Sequence, residues 1–376
     1  MNPYDFVRVD WKSFPNRKEP RWHYRLTAVN NAQLYSGRIE VEIEAETPVF
    51  LPDTRANAND RSKSDPTKAL PFMRQQIGDQ TPYILPGSSL KGVLRELVET
   101  LGNGCFTLFD RTYEYKHIQE RIRINYADLV PYKFRQCNTH NELCIACRVF
   151  GMMGRGSNAG VFLGKVNVSD ALSVHVVEHE PAYTQALMNP KPHHKAFYLD
   201  PTTQHIAGRK YYFHHAEPEF ALGLQAYNRL IHPLDNGTRF QFHIDFTNLE
   251  AEEFAVLLLA VQLEAAMRHK IGYGKPMGLG TVHFKPTSLT LVDYARRYTV
   301  EGVRNRKSKA EPLEEKDSQA FIDAHIRKYT PGFLSQVAMT DLRRIWRWPV
   351  PTNVEYKYPD QAWFSKNSAV RIAGTP

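Results

Sequence analysis

No stretch of this 376-residue chain approaches the roughly 18 to 20 consecutive apolar residues that a membrane span needs. The longest candidate is the amphipathic run near Val256 to Val261, which leaves no membrane partner to expect. The first residues, Met1-Asn2-Pro3-Tyr4-Asp5, lack the basic-then-apolar layout of a secretory leader, so the expected location is the reducing cytoplasm. Cysteine is scarce, with four residues in the whole chain, and a disulfide framework is not expected there. Acidic charge is also in deficit: 40 Asp and Glu stand against 48 Lys and Arg, a formal charge of +8. That balance favours a polyanionic partner. A hydrophobic content of 42 % is sufficient for a folded core.

What is present is strongly patterned. Arg38 to Ala45 alternates apolar and charged residues as a half-buried strand does. Leu90, Val93, Leu94, Leu97, Val98 and Leu101 recur at helical spacing, with Ser88 or Ser89 available as a cap and Gly102 as a stop. Val161–Val168 and Arg239–Phe246 read as strands. Thr247 and Glu250 suit a capping box for a helix carrying Phe254, Leu257, Leu258, Val261 and Met267, and Gly280–Phe284 reads as a last strand. The order strand, helix, strand, strand, helix, strand is that of an α+β, ferredoxin-like βαββαβ core. One face of its sheet is left open, the surface that RNA-recognition domains use for single strands.

Two loops carry glycine and lysine together. Gly272-Tyr273-Gly274-Lys275-Pro276-Met277-Gly278-Leu279-Gly280 lies between the second helix and the last strand, and Pro86-Gly87-Ser88-Ser89-Leu90-Lys91-Gly92 opens the first helix. Converging backbone N–H groups, a helix N-terminus and a nearby lysine suit phosphate, although glycines in turns can serve the backbone alone. Cys105, Cys137, Cys144 and Cys147 all fall in one stretch. The Cys-x-x-Cys pair and Cys137 suit structural zinc, with Cys105 favoured as fourth ligand and His140 the alternative.

In order, these motifs resemble the RAMP superfamily of CRISPR-associated RNA-binding proteins. Pro86 to Arg95 matches its Pro-Gly-Ser-Ser-Leu-Lys-Gly-x-Leu-Arg helix start, Gly272 to Gly280 its C-terminal glycine loop, and Cys144 to Gly151 the Cys-x-x-Cys-x-x-Phe-Gly of type III backbone subunits. The resemblance implies a subunit that holds crRNA for recognition of target RNA among other effector subunits. Ser88, Ser89, Lys91, Arg95, Gly272, Gly274, Lys275, Gly278 and Gly280 are the expected RNA contacts. It implies further a thumb-like insertion at about 173–238, where basic and aromatic residues interleave. Arg209 and Lys210 are the RNA-binding candidates there. Type III backbone subunits often cut target RNA with an aspartate before the Pro-Gly-Ser-Ser helix, which points to Asp60 and Asp65, with Mg or another divalent ion. A RAMP endoribonuclease that processes precursor CRISPR RNA with histidine chemistry, and a non-catalytic assembly subunit, are the alternatives.

The expected organisation is an N-terminal arm (1–36), a RAMP domain (37–292) with a zinc region at about 103–150 and the thumb-like insertion, and a linker with a C-terminal helical docking tail (293–376).

Overall fold

The structure is a computed structural model that describes residues 2–22, 34–53, 68–107, 112–117, 120–155, 157, 159–187, 196–292, 315–351, 354–357 and 361–367. Asp60, Asp65, His193, His194 and Lys195 lie outside the described residues.

The elements used below are, in chain order, β1 (Tyr4–Val7), β2 (Tyr35–Ala45), β3 (Ile84–Leu85), α1 (Gly87–Leu101), α2 (Ile145–Phe150), β4 (Gly151–Met153), β5 (Val161–Leu163), β6 (Val166–Val168), β7 (Ala171–His175), β8 (Arg209–Tyr212), β9 (Arg239–Leu249), α3 (Ala251–Gln262), β10 (His269–Lys270), β11 (Thr281–Leu291), α4 (Glu315–Tyr329) and α5 (Gln336–Ile345). The main sheet runs β10-β11-β2-β9-β7-β3, with β6 also pairing β9, and every pairing in it is antiparallel. Two strand-helix-strand halves interleaved in this way place the first and third core strands at the centre, an arrangement consistent with the expected ferredoxin-like core.

Alternation decides the two faces of this sheet. Ile39, Val41 and Ile43 of β2, Phe240, Phe242, Ile244 and Phe246 of β9, and Phe284 of β11 are buried in one apolar cluster with Leu90, Leu94 and Leu97 of α1 and Phe254, Leu257 and Val261 of α3. The opposite face carries Arg38, Glu40, Glu42, Glu44, Arg239, Asp245 and Lys285, largely paired with one another. Arg38 meets Asp245 at 2.7 Å and Glu40 at 3.8 Å, Arg239 meets Glu42 at 3.7 Å, and Lys285 bonds Glu44.

Several local expectations shift. Neither Ser88 nor Ser89 caps α1: Pro86 is the N-cap, and the Asp170 carboxylate accepts the Gly87 N–H at 2.7 Å. Val161–Val168 is divided into β5, which forms a hairpin with β4, and β6, which joins the main sheet. The capping box is Glu250 with Glu253 in place of Thr247 with Glu250, because β9 runs on to Leu249 and delays the helix. The same helix stops at Gln262, where Leu263 takes a φ of 58°, so Met267 is buried outside it.

The arm and the tail pack on the domain itself. β1 pairs with β8, and Arg8 binds Asp341 of α5 at 2.9 Å. Ile322 of α4, Leu342 and Ile345 of α5 and Trp346 just after it belong to the main core, and His325 of α4 donates to the Ala251 carbonyl at 3.0 Å.

A buried ion triad ties α2, β6 and α3 together. Glu253, at the first turn of α3, accepts from Arg148 at 2.8 Å and from Lys165 at 2.7 Å, with all three side chains at most 1 % exposed. Burial pushes the Glu253 carboxyl up, and Lys165 and Arg148 outweigh it, so the net shift is downward. Removing one partner of such a group strands the others without solvent. Glu253→Ala should therefore cost about 3 to 5 kcal/mol of unfolding free energy, checked by urea denaturation. A loss below about 1 kcal/mol would show that water reaches the two cations.

Candidate metal centre and nucleic-acid interface

The four cysteines converge although up to 42 residues of chain separate them. Their sulfur atoms lie within 4.8 Å of one another and all four residues are buried. Cys105 Sγ stands 3.6 Å from Cys147 Sγ and 3.7 Å from Cys144 Sγ. A tetrahedron with metal–sulfur bonds of about 2.3 Å has edges of about 3.8 Å, so the spacing fits an ion such as zinc. The N–H of Cys144 donates to Cys137 Sγ at 3.3 Å. Contacts from Cys105, Cys137 and Cys147 hold the Cys144 thiol well below its ordinary value, and contacts with Cys137 and Cys144 push Cys105 up. Four thiolates this close require a cation to ionise together. His140 is exposed and rests 5.7 Å from the Trp22 ring, so the alternative ligand set is not the one assembled.

Two of the expected RNA contacts serve this centre. Arg95 donates to Glu99 at 2.9 Å, to the Gly151 carbonyl at 3.0 Å and towards Cys147 Sγ at 3.7 Å. Arg209 donates to the other Glu99 oxygen at 3.0 Å and to the carbonyls of Gly104 and Cys105 at 3.0 and 2.9 Å. Its guanidinium lies 3.9 Å from the Phe106 ring centre. Arg209 holds the Cys105 segment and Arg95 the Cys147–Gly151 side, and together they place positive charge beside the sulfurs. Lys91, one turn before Arg95 on the same face, donates to the Val166 carbonyl at 2.7 Å. Burial and then Arg95 lower its pKa.

The glycine loop likewise has internal reasons for most of its residues. Gly272, Gly274, Gly278 and Gly280 all have φ between 73° and 101°. A Cβ on Gly280 would stand 1.9 Å from the Ile271 carbonyl oxygen, and one on Gly272 2.5 Å from that of Phe50. The N–H groups of Tyr273, Met277, Gly278, Leu279 and Gly280 are bonded within the protein, so the second half of the loop is closed on itself.

Lys275 is different. Burial lowers its pKa, and Glu96 of α1 and Tyr212 of β8 oppose that shift. Glu96 is held above its ordinary value by desolvation, against the pull of Arg209 and Lys275, although its side chain still reaches solvent. Lys275 is thus in electrostatic reach of α1, nine residues beyond Gly87. In the register of β1 with β8, Tyr4 faces Tyr212 and Phe6 faces Lys210, while Asp5 faces Tyr211 and Val7 faces Arg209. Opposite pairs share a side, so Lys210 and Arg209 point in opposite directions. The Lys210 ammonium lies 3.8 Å from the Tyr4 ring centre and 4.8 Å from that of Tyr212. Lys210 therefore lies against Tyr4 and Tyr212 on one side of the ribbon, and Lys275 is in electrostatic reach of Tyr212. The run Arg209-Lys210-Tyr211-Tyr212 was the sequence signal for this arrangement.

On α1 the residues left exposed are Ser88, Ser89, Gly92 and Glu96, a stripe at helical spacing. A Cβ built on Gly92 meets nothing within 4 Å. Among the described histidines, His214, His215 and His269 are buried. Burial lowers His215 and His269 to about 3.

A model of the RAMP superfamily matches residues 42–283 of the chain. No curated protein matches it. A solved chain titled "Type IV-B CRISPR Complex" matches with 20 % identity and a TM-score of 0.36, covering 70 % of this chain and 93 % of that one.

Metal analysis of the purified protein should find one zinc per chain. Cys105→Ser should lower that content and His140→Ala should leave it unchanged; the reverse result would assign the fourth ligand to His140.

Proposed function

The chain belongs to the RAMP superfamily, and from that premise we propose that it is a crRNA-binding backbone subunit of a CRISPR effector complex, with target RNA and other effector subunits as partners. The observation that carries this reading is Lys210 over the rings of Tyr4 and Tyr212 on the β1–β8 ribbon, with Lys275 of the glycine loop in electrostatic reach of Tyr212. Cations near aromatic rings neutralise phosphates while a base stacks, and stacking contributes about 1 to 3 kcal/mol per base. From there the exposed stripe of Ser88, Ser89 and Gly92 extends the path. A glycine inside a helix costs about 1 kcal/mol relative to alanine, and at Gly92 no packing within the described residues requires it. Close approach of a ribose-phosphate backbone supplies a reason. Lys91 contributes charge from the flank with the donors that Val166 leaves.

The path follows α1 and the β1–β8 ribbon and avoids the open sheet face, whose carboxylates oppose phosphate. The four thiols hold structural zinc, a closed site with no position for substrate. The finer assignment to a type III-like effector rests on the Cys144 to Gly151 motif. Cutting of target RNA, by Asp60 or Asp65 with a divalent ion, rests on their place before α1.

Single-stranded RNA should bind with an affinity that falls as salt rises, at a log–log slope of about −0.7 per phosphate neutralised. Lys210→Ala and Lys275→Ala should each flatten that slope by about 0.7. Gly92→Ala should leave the fold as stable or up to about 1 kcal/mol more stable, whereas Gly92→Gln should weaken RNA about tenfold. A protein that holds no RNA at any salt would favour the assembly subunit. For cutting, Asp60→Ala or Asp65→Ala should abolish target cleavage by the reconstituted complex; unchanged cleavage in both variants removes that role.

A further inference from the structure

Behind the β1–β8 ribbon, a cavity of about 620 Å³ opens between the end of α5 and the segment that follows it. Three arginines line it, Arg343, Arg344 and Arg347, with Phe213 and Tyr356 as an aromatic wall. The two rings are stacked, centres 4.6 Å apart and planes 13° from parallel. Arg343 is paired with Glu264 at 2.7 Å and Arg344 with Asp5 at 2.6 Å. Both are surface pairs, which exchange partners at little cost. Arg347 is exposed and its side chain has no hydrogen bond or ion pair among the described residues. The charged groups named here therefore sum to one net positive charge.

The helix end alone would attract arginine, but it does not account for a cavity or for the stacked wall. The volume lies within the roughly 300 to 1,000 Å³ of small-molecule sites. Guanidinium forks match phosphate oxygens, and a flat aromatic wall matches a base. An acidic peptide would use the arginines and leave the wall idle. Phe213 directly follows Tyr212 in the chain, and Asp5, on Arg344, directly follows Tyr4. The pleat turns both to the side of the ribbon opposite Tyr4 and Tyr212, so the cavity lies across the ribbon from the proposed RNA path.

We infer that this cavity is a nucleotide pocket that takes a phosphate and base of single-stranded RNA, an extension that rests on the RNA-binding reading above. Arg347 and Arg344 hold the phosphate, and Tyr356 carries the base.

Uridine 5′-monophosphate titrated into the full-length protein by calorimetry should bind, and uridine should bind at least tenfold more weakly. Arg347→Glu should lower the affinity for the monophosphate at least tenfold with an unchanged melting temperature, and Arg347→Ala provides the same readout if the reversal disturbs the fold. Single-stranded RNA bearing 4-thiouridine should cross-link to Tyr356. If the monophosphate binds equally well to Arg347→Glu, or if a polyglutamate peptide binds where the monophosphate does not, the pocket is not a nucleotide site. RNA binding that depends on Lys210 and Lys275 but is indifferent to Arg347 would remove the pocket and leave the RNA reading in place. Monophosphate binding lost in Arg347→Glu, in a protein that holds no single-stranded RNA, would do the opposite.

Discussion

Glu99 stands between two guanidinium groups, and much of the site's geometry depends on that bridge. One carboxylate oxygen takes Arg95 from its own helix and the other takes Arg209 from a strand 110 residues later. Both arginines then spend their remaining donors on the backbone and sulfur around the cysteine cluster. The consequence reaches past the cluster. With Arg209 held inward, the pleat of β8 turns Lys210 and Tyr212 outward, and the N-terminal strand that pairs with β8 brings Tyr4 to the same side. The surface that carries Lys210 and Tyr212 is thus set from beneath by a buried charge bridge.

The open sheet face and the helix-ribbon surface illustrate two uses of charge. On the sheet, Arg38, Arg239 and Lys285 lie opposite carboxylates at cross-strand spacing, and no Phe, Tyr or Trp stands among them. Such a face is satisfied within itself and presents Glu40 and Glu44 to solvent. On the ribbon, the lysine lies over aromatic rings, which leave an ammonium able to meet a phosphate. A basic overall composition says nothing about this division, since both surfaces carry cations.

The strand and helix order, the cluster of thiols and the basic character of the insertion could all be read from the chain, because periodicity and spacing are local. Other assignments could not. Pro86 to Arg95 looked like one anion-binding unit, yet Asp170, 84 residues beyond Pro86, occupies the first free N–H of its helix. The four loop glycines looked like a phosphate cradle, yet carbonyl oxygens of Ile271 and Phe50 leave two of them no room for a side chain. Gly92, in the middle of that motif, is a glycine whose added Cβ would meet nothing within 4 Å. The tail reads as a docking segment for neighbours, yet Ile322, Leu342 and Trp346 find apolar partners in the chain's own core, and the strand of the arm pairs with β8.

By itself the sequence determined which side chains alternate and which recur on one helical face, and so which residues must share a side. Arg209 and Lys210 had to point apart whatever the fold. Which of them would be buried was decided only in three dimensions, where Glu99 and two carbonyls lay within reach of one and solvent within reach of the other. Distant partners of that kind leave no trace in local periodicity, because the chain records its own neighbours and not those that folding supplies.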